Sequence, residues 1–100
     1  MAEKIGWSEV ALDSWERILD EKYQLASTAS ADKYASKVIN LLEKLAENPS
    51  IGMCVDPYRG IRRWKIDKLH YILYLESIHG IHVVDILPYA ANRKGFHRGH

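Results

Sequence analysis

The sequence predicts an α+β fold. A short N-terminal strand is followed by a two-helix hairpin and a three-stranded antiparallel meander, with the helices on one sheet face. Three observations predict it. Apolar residues between Ala11 and Leu45 recur at helical spacing in two blocks. From Tyr58 to Arg93, β-branched and aromatic residues form three runs of strand length. Turn-formers at Asp67-Lys68 and at Ser77 to Gly80 divide those runs at hairpin distances.

The N-terminal segment Lys4 to Trp7 alternates, with Ile5 and Trp7 on one side, and reads as an edge strand. Ser8 is an N-cap candidate, and Glu9 suits the first turn beside the helix dipole. Ala11, Leu12, Trp15, Ile18, Leu19, Leu25 and Ala26 then form one stripe. Asp13, Glu16, Arg17, Asp20 and Glu21 occupy the other side, so Trp15 reads as core. Ser27 to Ser30 breaks the pattern. Ser30 is expected to cap the second helix, with Asp32 in its first turn. The second stripe is Tyr34, Val38, Leu41, Leu42 and Leu45, and Asn48-Pro49 ends it. Ser50 to Pro57 reads as irregular, with Gly52 and Pro57 as breakers.

In Ile61 to Asp67, Trp64 and Ile66 are expected to face the helices, while Arg63 and Lys65 face away. A tight turn at Asp67-Lys68 then puts Leu69, Tyr71, Leu73 and Leu75 inward. His70, Ile72, Tyr74 and Glu76 fall on the opposite side. The last strand runs from Ile81 to Leu87, with Val84 and Ile86 inward and Pro88 as the stop. The tail, Asn92 to His100, is basic and is expected to fray.

One hundred residues make one domain, spanning 1–100, with enough apolar residues (47%) for a core. No apolar run reaches the ~20 residues of a membrane span, and the N-terminus has no secretory apolar stretch. The single Cys54 cannot form an internal disulfide, so a reducing cytoplasm is expected. Through Asp56 the chain holds six bases against ten acids, a balance of −4. From Pro57 it holds eight bases against three acids, a balance of +5. A basic sheet half beside an acidic helical half points to a polyanionic or acidic partner.

The chemistry-bearing cluster is Arg59, Arg62, Arg63 and Lys65. Guanidinium forks bind phosphates and carboxylates bidentately. Tyr58, Tyr71, Tyr74, Tyr89 and Phe96 interleave as stacking surfaces. The competing reading is a strand edge that uses cations to block sheet-to-sheet association. His79 and His82 flank a turn without matching carboxylates or cysteine, so no metal site is expected. With no glycine-rich phosphate loop, no cofactor is expected either.

Several pieces together resemble the RelE/ParE superfamily, the toxins of bacterial type II toxin–antitoxin pairs. They are the opening strand and capped helix, the leucine-rich LLEKLAENPSIG segment and Gly60-Ile61-Arg62-Arg63-Trp64. Tyr71-Ile72-Leu73-Tyr74, the run Ile81 to Ile86, and Ala91-Asn92-Arg93-Lys94 complete the pattern. The resemblance implies the toxin of such a pair, held in check by a cognate antitoxin protein. Members of this superfamily either poison DNA gyrase by binding or cut messenger RNA in the ribosome. The Gly-Ile-Arg-Arg segment is closer to the ParE-like pattern. Ile72 stands where cleaving members commonly hold an arginine, which favours a non-enzymatic inhibitor. On that reading Arg59, Arg62, Arg63 and Arg93 are target contacts. The alternatives are a degenerate non-toxic member, or a ribosome-dependent ribonuclease with a displaced catalytic set. That set would be drawn from Arg63, Lys65, His70, Tyr89 and Arg93, with His97 as a further candidate.

Overall fold

The computed structural model describes residues 4–89. Strand β1 (Ile5–Trp7) leads into α1 (Glu9–Leu25) and α2 (Thr28–Glu47). A 3-10 turn (Pro49–Ile51) precedes β2 (Met53–Asp56), β3 (Ile61–Lys65), β4 (His70–Glu76) and β5 (Ile81–Pro88). The five strands form one mixed sheet in the order β1-β5-β4-β3-β2. β1 runs parallel to β5, and the remaining pairs are antiparallel.

Capping chemistry sets the helix starts. The Ser8 hydroxyl accepts from the Ala11 N–H at 2.9 Å and donates to the Val84 carbonyl at 2.7 Å. One side chain therefore caps α1 and ties it to β5. The second helix starts earlier than the sequence predicts: Ser27, not Ser30, is its N-cap. Ser27 Oγ accepts the Ser30 N–H at 3.0 Å, so Ser30 lies within the first turn and Asp32 beyond it. Serines at both positions satisfy the same sequence rule, and the helix takes the earlier one.

The helices pack on the sheet through Ala11 and Ile18 of α1 and Val38, Leu42 and Leu45 of α2. From the sheet come Ile72, Tyr74, Ile81, Val83 and Ile86, with Ile66 just after β3. Each fully buried aliphatic side chain contributes roughly 1.5–3 kcal/mol, which makes this layer the main source of stability. Trp7, Trp15 and Tyr34 run along its rim with ring centroids 6.1 and 5.9 Å apart.

Three features of the sheet depart from the sequence expectation. The segment expected to be irregular contains β2, which pairs Met53 with Arg63 and Cys54 with Arg62. Its side chains are mostly exposed, so no inside–outside alternation marks it as a strand. β4 faces the other way: Ile72 and Tyr74 point into the core, and Tyr71 and Leu73 lie on the outer face. The cause is one residue of turn. Ile66 stands opposite His70 across a three-residue loop, whose Asp67 carboxylate accepts the Leu69 and His70 N–H groups at 2.8 and 2.9 Å. A two-residue turn at Asp67-Lys68 would pair Ile66 with Leu69, and a one-residue slip exchanges the faces of a whole strand. In β5, Val84 is the extra residue of a bulge, because Leu73 pairs with Asp85 while Tyr74 pairs with Val83. Val83 and Ile86 are buried, and Val84 is only half-buried.

Candidate functional site

Arg63 and Lys65 lie on the outer face of β3, opposite Leu73 and Tyr71 of β4. The Arg63 guanidinium sits over the Tyr71 ring, 5.6 Å from its centroid. The Tyr71 and Tyr89 rings are 4.7 Å apart and tilted by 44°. The Tyr89 N–H donates to the Leu69 carbonyl at 2.9 Å, which fixes this aromatic beside the β3–β4 loop. A guanidinium on a ring contributes about 0.5–1 kcal/mol at such sites. It also keeps the N–H fork oriented for an anion. Burial raises the Tyr71 phenol above its usual pKa, against the nearby Arg63 charge, so Tyr71 stays protonated. It is a donor and a platform, not a base. An open cleft of about 460 Å³ adjoins this row, lined by Ile51, Met53, Arg63, Lys65, Ile66 and Tyr89, with Trp64 at its wall.

The other two arginines of the cluster stand elsewhere. Arg62 shares the helix-side face with Tyr74. Its Nη1 donates to the Gly52 carbonyl at 2.8 Å and the Ser50 carbonyl at 3.2 Å. That arrangement is a clamp on the turn before β2. Arg59 lies in the β2–β3 turn, its Nε 3.8 Å from an Asp56 carboxylate oxygen. Asp56 Oδ1 also accepts the Tyr58 and Arg59 N–H groups at 3.0 and 3.1 Å. Gly60 closes the turn at φ 71°, in the left-handed region that glycine enters without strain. The turn carries Tyr58 almost fully exposed, at 99%.

His70 does not join the cations. It starts β4 on the helix side, its ring 6.1 Å from Tyr34 and set edge-on. Burial lowers its pKa, opposed by Asp67 and Glu21 and aided by Lys22. Among the ribonuclease candidates, Arg63, Lys65 and Tyr89 therefore share one face and His70 lies on the other. Arg93 and His97 lie outside the described residues, as does the tail. Ile72, expected on the outer side, is fully buried against the helices. An arginine at this position would meet the core rather than a substrate.

Among the described residues, no three His, Cys, Asp or Glu side chains come close enough to hold a metal ion. Cys54 is free and exposed on β2. Sequence reasoning missed the role of Tyr71, which it placed inward. It also missed Ile51 and Met53, which border the cleft from a segment read as irregular. The signal for Tyr71 was the β3–β4 register: Tyr71 stands opposite Lys65, and partners across a ladder share a face.

Residues 5–91 match the family of the ParE toxin of the type II toxin–antitoxin system parDE. No curated protein is similar enough to match the sequence. A solved structure of a chromosomal ParDE toxin–antitoxin system from P. aeruginosa is similar at TM-score 0.68 and 16% identity, over 84% of this chain and 92% of that one. A YoeB-YefM complex from Staphylococcus aureus is similar at TM-score 0.61 and 15% identity, over 87% of this chain and 97% of that one. A YoeB/ParE toxin from Agrobacterium tumefaciens is similar at TM-score 0.60 and 17% identity, over 87% and 99% of the two chains. These likenesses establish the shared fold. The family match covers nearly the whole chain, and the protein belongs to the ParE toxins of type II toxin–antitoxin systems.

Proposed function

We propose that this toxin acts in the cytoplasm as one domain and inhibits DNA gyrase by binding, without cleaving RNA. A cognate antitoxin protein neutralises it. The observation that carries the reading is the separation of Arg63 and Lys65 from His70. General acid–base cleavage needs a base within hydrogen-bond reach of the proton it removes. The outer face offers cations and protonated tyrosines beside Arg63, while the imidazole of His70 lies behind the sheet. Such a face suits electrostatic recognition more than proton transfer. On this reading Arg63 is the central target contact and Arg59 a peripheral one. Arg62 supports the turn, and Arg93 adds charge from the tail. The antitoxin is supported by the family and by the YoeB-YefM complex among the solved relatives. No helix among the described residues is long and apolar enough to cross a membrane.

The test is expression of the full chain in bacteria, with gyrase supercoiling and primer extension on translated messages read in parallel. Growth arrest, inhibited supercoiling and intact messages are expected. Message cleavage that disappears with Arg63→Ala or Lys65→Ala would instead establish a ribonuclease. Normal growth without any antitoxin would remove the toxin reading.

A further inference from the structure

We infer that the open edge of β3 beside Arg63 and Lys65 receives an extended, acidic polypeptide segment, which adds to the sheet as a further strand. The inference concerns a binding surface and holds whichever macromolecule the toxin inhibits.

The first observation is an incomplete edge. β2 begins at Met53 opposite Arg63, so β3 continues to Lys65 without a neighbour on that side. The Ile66 N–H donates to the His70 carbonyl, toward β4. Hydrogen-bonding direction alternates along an antiparallel strand. The Lys65 N–H and C=O therefore point the other way, out over the open edge. The 3-10 turn stands where a longer β2 would lie, and the Ile51 N–H is already committed to the Asn48 carbonyl. Unpaired main-chain groups of this kind are the template for strand addition.

The second observation is the shape and lining of the notch. The cleft of about 460 Å³ runs along this same edge. Ile51 and Met53 border it and are 39% and 54% exposed, which gives alternate side chains of an added strand apolar contacts. Nucleic acid has main-chain chemistry for neither the Lys65 amide nor the apolar border, which favours a polypeptide.

The third observation is charge. Among the described residues the one ion pair is Arg59 with Asp56, so Arg63 and Lys65 have no carboxylate of their own. They flank the notch at consecutive outer-face positions. The eleven residues after Tyr89 add Arg93, Lys94 and Arg98 and no acid. The same charge opposes occupation by this chain's own tail and favours an acidic segment from another protein.

The test uses the full chain and a fluorescein-labelled ten-residue peptide of alternating Glu and Val. Comparison probes are the Lys/Val peptide, a Glu/Val peptide N-methylated at every second residue, and an oligothymidylate ten-mer. Anisotropy measures binding, and amide hydrogen exchange is read at Lys65. The Glu/Val peptide is expected to bind, and Lys65 exchange is expected to slow at least ten-fold. N-methylation, which removes strand donors without touching the protein, is expected to weaken binding at least ten-fold. The double variant Arg63→Glu with Lys65→Glu is expected to do the same. Binding that leaves Lys65 exchange unchanged would overturn the proposal, as would N-methylation without effect. Oligothymidylate binding as tightly and protecting Lys65 would assign the edge to nucleic acid. Slow Lys65 exchange in the free chain would mean that its own tail or a second copy covers the edge, and would overturn it as well.

Discussion

The Tyr74 hydroxyl joins β4 to the turn before β2. It accepts the Gly52 N–H at 2.9 Å and donates to the Pro49 carbonyl at 2.7 Å. The ring is fully buried, so no water replaces a lost partner. Tyr74→Phe strands a buried donor and acceptor and should cost ~1–3 kcal/mol in urea unfolding. His70 makes a different prediction, through protonation. Its folded pKa lies below the ordinary imidazole value of about 6.5, chiefly because burial disfavours the charged ring. The unfolded chain therefore takes up the proton first as pH falls. The contribution of His70 to stability is complete above about pH 6.5 and is lost as pH drops through the lower folded value. Asp67, Glu21 and Lys22 all act on this ring, and the two carboxylates oppose the effect of burial. The fall in unfolding free energy between pH 7.5 and 5 should be smaller in His70→Gln than in the parent chain. An NMR titration of His70 should give a midpoint below those of the exposed histidines.

At the scale of elements, the helices and the last three strands were legible because their contrast is strong. Val38, Leu42 and Leu45 bury one face of α2 while Lys37, Glu43 and Glu47 stay exposed. β2 lacked that contrast, since Met53, Cys54 and Val55 are all exposed. β4 failed for the opposite reason: both its faces are apolar, so alternation alone could not orient it. The decision lay in whether the loop after Ile66 has two residues or three. That is set by Asp67 accepting two main-chain N–H groups, a geometry the sequence permits without requiring. The arginine cluster divides along the same lines. Arg62 and Arg63 are adjacent in sequence, yet alternation sends one to a structural clamp and the other to the outer face. Arg62→Ala should lower stability by ~1–2 kcal/mol through its lost carbonyl contacts. Arg63→Ala should change stability by less than ~1 kcal/mol and abolish growth arrest. Urea unfolding and colony counts on induction separate the two roles. Equal loss of stability in both variants would remove the distinction.

Across the whole molecule, charge is distributed by layer. Asp13, Glu16 and Asp20 are exposed on α1 and Glu43 and Glu47 on α2, while Arg63 and Lys65 mark the outer sheet face. A dipolar protein presents its cationic face first to an acidic partner, which raises the association rate more than the lifetime of the complex. Raising salt from 50 to 500 mM shortens the Debye length from about 14 to about 4 Å. Association with gyrase should therefore slow roughly ten-fold over that range, with dissociation changing by less than about two-fold. Neutralising Arg63 and Lys65 together should flatten the salt dependence, whereas Glu43→Gln with Glu47→Gln, on the helix layer, should leave it unchanged. Stopped-flow association and surface plasmon resonance dissociation read the two rates separately. If salt acts mainly on dissociation, Arg63 and Lys65 are paired inside the contact. They would then hold the partner after docking rather than steer it beforehand.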